Sequence, residues 1–158
     1  MDQAERERIR ALRALAVSRG PSQACTIRRR HGYPESPGET ERTRQAALAT
    51  EPGSLLRFTH SNASCGDRAV IVSDGTRIWQ ESEGCIICRA ASAVAVGILC
   101  RAGPDTVAPA LDAMRGEGKD VADPELALLL SSVPAGRRRC LTLALDAAQE
   151  LAASLTGR

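Results

Sequence analysis

The sequence is poor in aromatic side chains: one tyrosine, one phenylalanine and one tryptophan (Tyr33, Phe58 and Trp79) stand among 158 residues. That scarcity argues against a stacking platform for single-stranded nucleic acid, which needs several exposed rings. It also leaves the core to Leu, Val, Ile and Ala. Charge of one sign is lacking as well, since a formal net charge of +2 gives no general pull toward nucleic acid or an anionic membrane. The longest uncharged apolar run, Ala90 to Cys100, falls well short of the roughly 18 residues that a membrane span requires. The opening MDQAERERIR carries charges where the apolar stretch of a secretory signal would stand. The expectation is a cytoplasmic protein with neither a nucleic-acid nor a membrane partner.

With 43% hydrophobic residues, the chain suits one domain, 1–158, built around a single core. QAERERIRALRALAVSRG places Ile9, Leu12 and Leu15 or Ala16 on one stripe with arginines opposite, so residues 1–20 read as an amphipathic helix stopped by Gly20-Pro21. Residues 21–54 show no sustained period and are rich in charge, Pro and Gly. They read as an irregular insertion or loop, with at most a short helix over Arg42 to Thr50. The basic cluster Arg28, Arg29, Arg30 and His31 in it reads as a solvated loop, or alternatively as a dock for an acidic partner.

From Leu55 onward the pattern changes. SLLRFTH reads as a strand, and RAVIVSDGTRIWQES as two strands about an Asp74-Gly75 turn. After Gly84 the chain reads as helical: Cys85 to Arg101, Thr106 to Arg115 behind an Asp105 cap, Glu125 to Ser132 behind Asp123-Pro124, and Cys140 to Leu155. The expected fold is α+β, a small three-stranded antiparallel sheet packed against several helices.

Six cysteines then stand out: Cys25, Cys65, Cys85, Cys88, Cys100 and Cys140. In a reducing compartment such thiols serve as metal ligands, reactive thiolates or small core residues rather than disulfides. The core reading suits Cys100, which closes an apolar helix. Cys65 follows a strand, while Cys85 and Cys140 open helices, where free N–H groups and the positive end of the dipole favour a thiolate. Arg137, Arg138 and Arg139 beside Cys140, and Arg89 one turn from Cys85, add to that field. Asp67, two residues after Cys65, supplies a carboxylate. Three sulfurs and one oxygen make a coherent tetrahedral zinc set, and Arg137 would offset part of its negative charge. A redox dithiol of Cys85 and Cys88 is a competing reading, although no thioredoxin-like βαβ pattern surrounds the pair. Cys88 reads equally as a small packing residue.

In this order, NASCGD at Asn62 to Asp67, a hairpin, GCIICRAAS at Gly84 to Ser92, and GRRRC ending at Cys140 resemble the iron-sulfur cluster assembly scaffold family (NifU N-terminal, IscU and SufU proteins). The likeness covers about Leu55 to Leu155, so that 55–158 resembles a SufU/IscU-like core of the SufE/NifU-like fold. Arg139 before the late cysteine, Arg137 ahead of it and the helical stretch between Cys85 and Cys140 are most similar to the SufU branch. The resemblance implies zinc held by Cys65, Asp67, Cys85 and Cys140. It also implies sulfur transfer from a pyridoxal-phosphate cysteine desulfurase, with a ligand exchange freeing Cys65 to accept persulfide sulfur for a downstream acceptor protein. The alternatives are a scaffold that assembles a [2Fe-2S] cluster on the same side chains, or a specialised paralogue delivering sulfur in thio-metabolite biosynthesis. Cys88 departs from the family, which usually has serine there, and would be an extra ligand or a resolving thiol.

Overall fold

The computed structural model describes residues 1–27, 55–115, 121 and 123–156. Helix α1 (Gln3–Ala16) starts where the Asp2 carboxylate accepts the Glu5 N–H at 2.7 Å, and it buries Leu12 and Ala16. The antiparallel sheet follows: β1 (Cys25–Thr26), β2 (Leu56–Asn62), β3 (Asp67–Ser73) and β4 (Arg77–Gln80), in the order β1-β4-β3-β2. The helices are α2 (Ile86–Arg101), α3 (Val107–Arg115), α4 (Pro124–Ser132) and α5 (Arg138–Thr156).

The α+β reading holds, with four strands in place of three. The fourth, β1, pairs Cys25 with Ile78 and Thr26 with Arg77. Two residues carry no periodicity, so only the partner strand defines this one. The short helix expected over Arg42 to Thr50 and the Arg28 to His31 cluster lie outside the described residues. Asp105 sits within a 3-10 turn, Pro104–Thr106, that leads into α3, which begins at Val107. Asp123 does cap α4, accepting from the N–H groups of Glu125 and Leu126 at 3.1 and 3.0 Å.

Three features position the later site. In the Asp74-Gly75 turn, Asp74 Oδ1 accepts the N–H groups of Thr76 and Arg77 at 3.0 and 2.8 Å, and Gly75 takes the left-handed φ of 95°. This sets the β3–β4 register. Strand β3 is buried on both faces: Ala69 and Ile71 join the main core under the helices, while Val70 and Val72 pack with Trp79 on the other side. Helix α2 is buried from Ala90 to Leu99, and its small Ala, Val and Gly residues let α1, α5 and the sheet all pack on it.

An ionic staple crosses α2. Arg19, at the left-handed φ of 55°, gives two hydrogen bonds to the Glu125 carboxylate at 3.0 and 2.9 Å and one to the Ala93 carbonyl at 3.1 Å. Arg101 pairs with Glu125 and, at 2.6 Å, with Asp123. Both guanidiniums lie over Gly97, where a Cβ would come within 2.8 Å of Arg19 Cζ and Arg101 Nη1. Among the described residues, no helix is long and apolar enough to cross a membrane.

One expectation is overturned. Cys25 and Cys100 form a disulfide across 75 residues of sequence, with Cα atoms 6.1 Å apart. Cys100 is therefore a cross-link rather than a lone core thiol. The pairing arises because β1 docks on β4 beside the last turn of α2, a contact invisible to local pattern. Thiol titration of the denatured, unreduced protein should find the four thiols of Cys65, Cys85, Cys88 and Cys140, rising to six after reduction. Cys25→Ser with Cys100→Ser should lower unfolding free energy by about 2 to 4 kcal/mol in denaturant titrations. Six reactive thiols before reduction would contradict the cross-link.

Candidate metal centre

NASCGD forms the tight end of the β2–β3 hairpin, whose register pairs Asn62 with Asp67. The Asn62 side-chain oxygen accepts the Ser64 N–H at 3.2 Å and its hydroxyl at 2.7 Å, and the Asn62 carbonyl accepts the Gly66 N–H at 2.9 Å. Gly66 reverses the chain at φ 73°. Cys65 is thereby left exposed at the tip, and Asp67 begins β3 as a side chain only 2% exposed.

Asp67 is the hub of the site. Its Oδ1 accepts the Cys85 N–H at 2.8 Å, and its Oδ2 accepts the thiols of Cys85 at 3.1 Å and Cys140 at 3.3 Å. Burial alone would raise its pKa; the backbone N–H of Cys85 and the thiols of Cys85, Cys65 and Cys140 outweigh that and hold the carboxyl down at about 2. The ligand atoms of Cys65, Asp67 and Cys140 lie within 4.8 Å of one another. Cys85 joins them through the Asp67 oxygen. The structure brings Cys65, Asp67 and Cys140 into one group that could hold a metal ion, with Cys85 beside it on the Asp67 carboxylate, and soft sulfurs around a carboxylate suit a thiophilic metal.

Cys85 caps α2, its Sγ accepting the Cys88 N–H at 3.4 Å, as expected for a sulfur at a helix start. Cys140 departs from expectation. It is the third residue of α5 rather than its opening, and is only 3% exposed. Burial, its hydrogen bond to Asp67 and the neighbouring sulfurs push its thiol up to about 12. Arg137 and Arg139 are exposed, and neither offsets the burial, carboxylate and sulfurs that raise the Cys140 thiol. Cys140 is thus a thiol that donates a hydrogen bond to the ionised Asp67. Cys88 is fully buried behind the site, and burial first, then the carboxylate and sulfurs nearby, push it up to about 12. Its surroundings are those of a packing residue. Arg137 forms the last residue of a 3-10 turn, Ala135–Arg137, ahead of α5.

Two supports escaped the sequence reading. Gly84, at φ 119°, lies so close to Asp67 that a Cβ would fall 2.2 Å from Oδ1. Its only signal was a glycine directly before a helix-opening cysteine. Behind the site, Ser92 Oγ donates to the Cys88 carbonyl at 2.9 Å and accepts from Ser82 Oγ at 2.6 Å, while Ser82 Oγ takes the Val70 N–H at 2.9 Å. These hydroxyls tie β3, which bears Asp67, to the first turn of α2, which bears Cys85.

Gly84→Ala should therefore weaken metal affinity by more than about tenfold and destabilise the fold by about 1 to 3 kcal/mol, read by competition with a chromophoric chelator and by denaturant melts. Because Cys140 must lose its proton to bind a cation, zinc uptake should release protons and tighten as pH rises through the neutral range. Calorimetry in buffers of different ionisation enthalpy measures that release. A proton-neutral, pH-flat isotherm would contradict it.

No protein-family model matches the chain, and no curated protein sequence does. Solved structures do. A NifU-like protein (N-terminal) from Brucella abortus, described as nitrogen-fixing, aligns with TM-score 0.52 at 21% identity, covering 69% of this chain and 83% of that one. A protein from Fervidobacterium islandicum AW-1, described as an iron-sulfur cluster assembly scaffold for the SUF system, aligns with TM-score 0.50 at 18% identity, covering 68% and 91%. A protein described only as hypothetical aligns with TM-score 0.50 at 18% identity, covering 72% and 98%. With its antiparallel sheet packed on helices, the chain has the fold of the NifU- and SufU-like scaffold proteins.

Proposed function

We propose that this chain is a sulfur-transfer protein that holds zinc through Cys65, Asp67, Cys85 and Cys140 and accepts persulfide sulfur at Cys65 from a cysteine desulfurase. The observation that carries this reading is the convergence of three thiols on the buried Asp67 carboxylate, with Cys65 alone of the four side chains exposed. Bound zinc would supply the charge that keeps these sulfurs as thiolates at neutral pH.

The chain's own residues divide the remaining work. Asp67 and Cys140 are rooted in buried positions, and Cys85 is fixed at a helix start, so these three form the stationary part of the site. Cys65 sits on the hairpin tip, where an incoming donor can reach it. The Cys65 thiolate attacks the outer sulfur of the donor persulfide. A new sulfur-sulfur bond forms at Cys65, the donor's breaks, and the donor cysteine leaves as a thiolate, while the proton stays on the transferred sulfur. A downstream thiol or cluster-building protein would take the sulfur onward. Arg137 stands in the turn before α5, exposed toward whatever approaches.

A second reading has its own support, because one structural neighbour is described as an iron-sulfur cluster assembly scaffold. The same four side chains suit a [2Fe-2S] cluster, since thiolates bind zinc and iron alike. A metal-free dithiol carrier of Cys85 and Cys88 is disfavoured by the complete burial of Cys88.

Protein purified without added metal should contain about one zinc per chain, with Cys65→Ser, Asp67→Ala and Cys140→Ser each losing most of it. Incubated with a cysteine desulfurase, its pyridoxal phosphate and cysteine, the wild type should gain one sulfur atom at Cys65 by peptide mass spectrometry. Iron and sulfide in place of zinc, with no added sulfur at Cys65, would overturn the sulfur-transfer reading in favour of the scaffold.

A further inference from the structure

Arg19, Arg57, Arg77, Arg101 and Arg115 are each held in an ion pair. Of the arginines that make none among the described residues, three flank the thiol site: Arg89, Arg137 and Arg139. Arg89 follows Cys85 by one helical turn, and its N–H donates to the Cys85 carbonyl at 3.2 Å, which places the two side chains on one face of α2. Its Nε is buried with no hydrogen-bond partner. Arg139 directly precedes Cys140, Arg137 stands three residues ahead of it, and both are exposed. The carboxylate at the centre, Asp67, does not neutralise them: it is buried and engaged with the Cys85 N–H and the thiols of Cys85 and Cys140.

Unpaired guanidiniums beside one exposed cysteine make a positive field where a sulfur donor must arrive. Such fields raise encounter rates with partners of opposite charge and orient them. We propose that Arg89, Arg137 and Arg139 form a positive rim that draws an acidic protein surface onto Cys65. This rests on the reading of Cys65 as the sulfur acceptor and specifies the chemistry of the face it meets. The rim selects a donor whose reactive cysteine is flanked by carboxylates and disfavours one flanked by lysine or arginine.

The test uses metal-free, folded full-length protein and a short peptide whose cysteine carries a pyridyl disulfide between glutamates, compared with the same peptide bearing glutamines. Attack by Cys65 forms a Cys65–peptide disulfide and releases pyridinethione, followed by absorbance and localised to Cys65 by mass spectrometry. At low salt the glutamate peptide should react about tenfold faster than the glutamine peptide. That ratio should fall toward unity in about 1 M salt, where the screening length is about 3 Å, and also in the triple variant Arg89→Gln, Arg137→Gln, Arg139→Gln. The matching triple Arg→Lys variant retains charge and should retain the ratio, which separates loss of the field from loss of folding. Equal rates for the two peptides, or a preference that survives the glutamine variant, would overturn the rim. Because the ratio needs neither metal nor desulfurase, its failure leaves the metal and persulfide measurements standing, and their failure leaves the ratio standing.

Discussion

The buried Asp67 carboxylate is the constraint on which the site depends. A carboxylate taken out of water is costly unless its oxygens are satisfied, and here a backbone N–H and two thiols satisfy them. These partners come from two elements far apart in sequence, the start of α2 and the first turn of α5. Asp67 therefore does more than contribute an oxygen: it holds the hairpin end and two helix starts together before any cation arrives. The same contacts keep Cys140 protonated, so the metal-free protein stores its site as a hydrogen-bonded cluster. A cation would replace those thiol protons without first having to gather the ligands.

The rest of the fold serves to fix the three elements that meet at Asp67. Small side chains along α2 admit α1, α5 and the sheet around one helix, which is how so aromatic-poor a chain builds a continuous core. The Ser82–Ser92 contact locks β3 to α2 directly behind the site. At the opposite end of α2, the Arg19–Glu125–Arg101 staple and the Cys25–Cys100 bond hold the N-terminal helix, β1 and α4 against it. These anchors reach from the Ala93 carbonyl, midway along the 16-residue α2, to Cys100 in its last turn. The site end is thus held by its own hydrogen bonds, and the far end by charge and a covalent bond.

Much of this was legible in the sequence, for local reasons. Alternation in SLLRFTH and RAVIVS, the Asp-Gly turn and the Asp123-Pro124 cap are short-range signals, and each produced the expected element. The candidate ligands were legible because thiols and a carboxylate at element ends have few structural reasons to be there. What escaped depends on contacts across long separations. Strand β1 exists only through β4, and the Cys25–Cys100 bond only through their docking. The protonated state of Cys140 reflects its burial and a neighbouring carboxylate 73 positions away, whereas Arg137 and Arg139, close in sequence, are exposed. Gly84 was visible as a residue but not as a requirement, because the atom it must avoid belongs to Asp67.

In the function proposed above, Asp67 and the three thiols of Cys65, Cys85 and Cys140 would make one first coordination sphere. Zinc-edge X-ray absorption on the zinc-bound protein tests it most directly. Three sulfur neighbours at about 2.3 Å and one oxygen at about 2.0 to 2.2 Å are expected. A shell of four sulfurs, bringing in Cys88 and displacing Asp67, or a shell of oxygens alone, would contradict it.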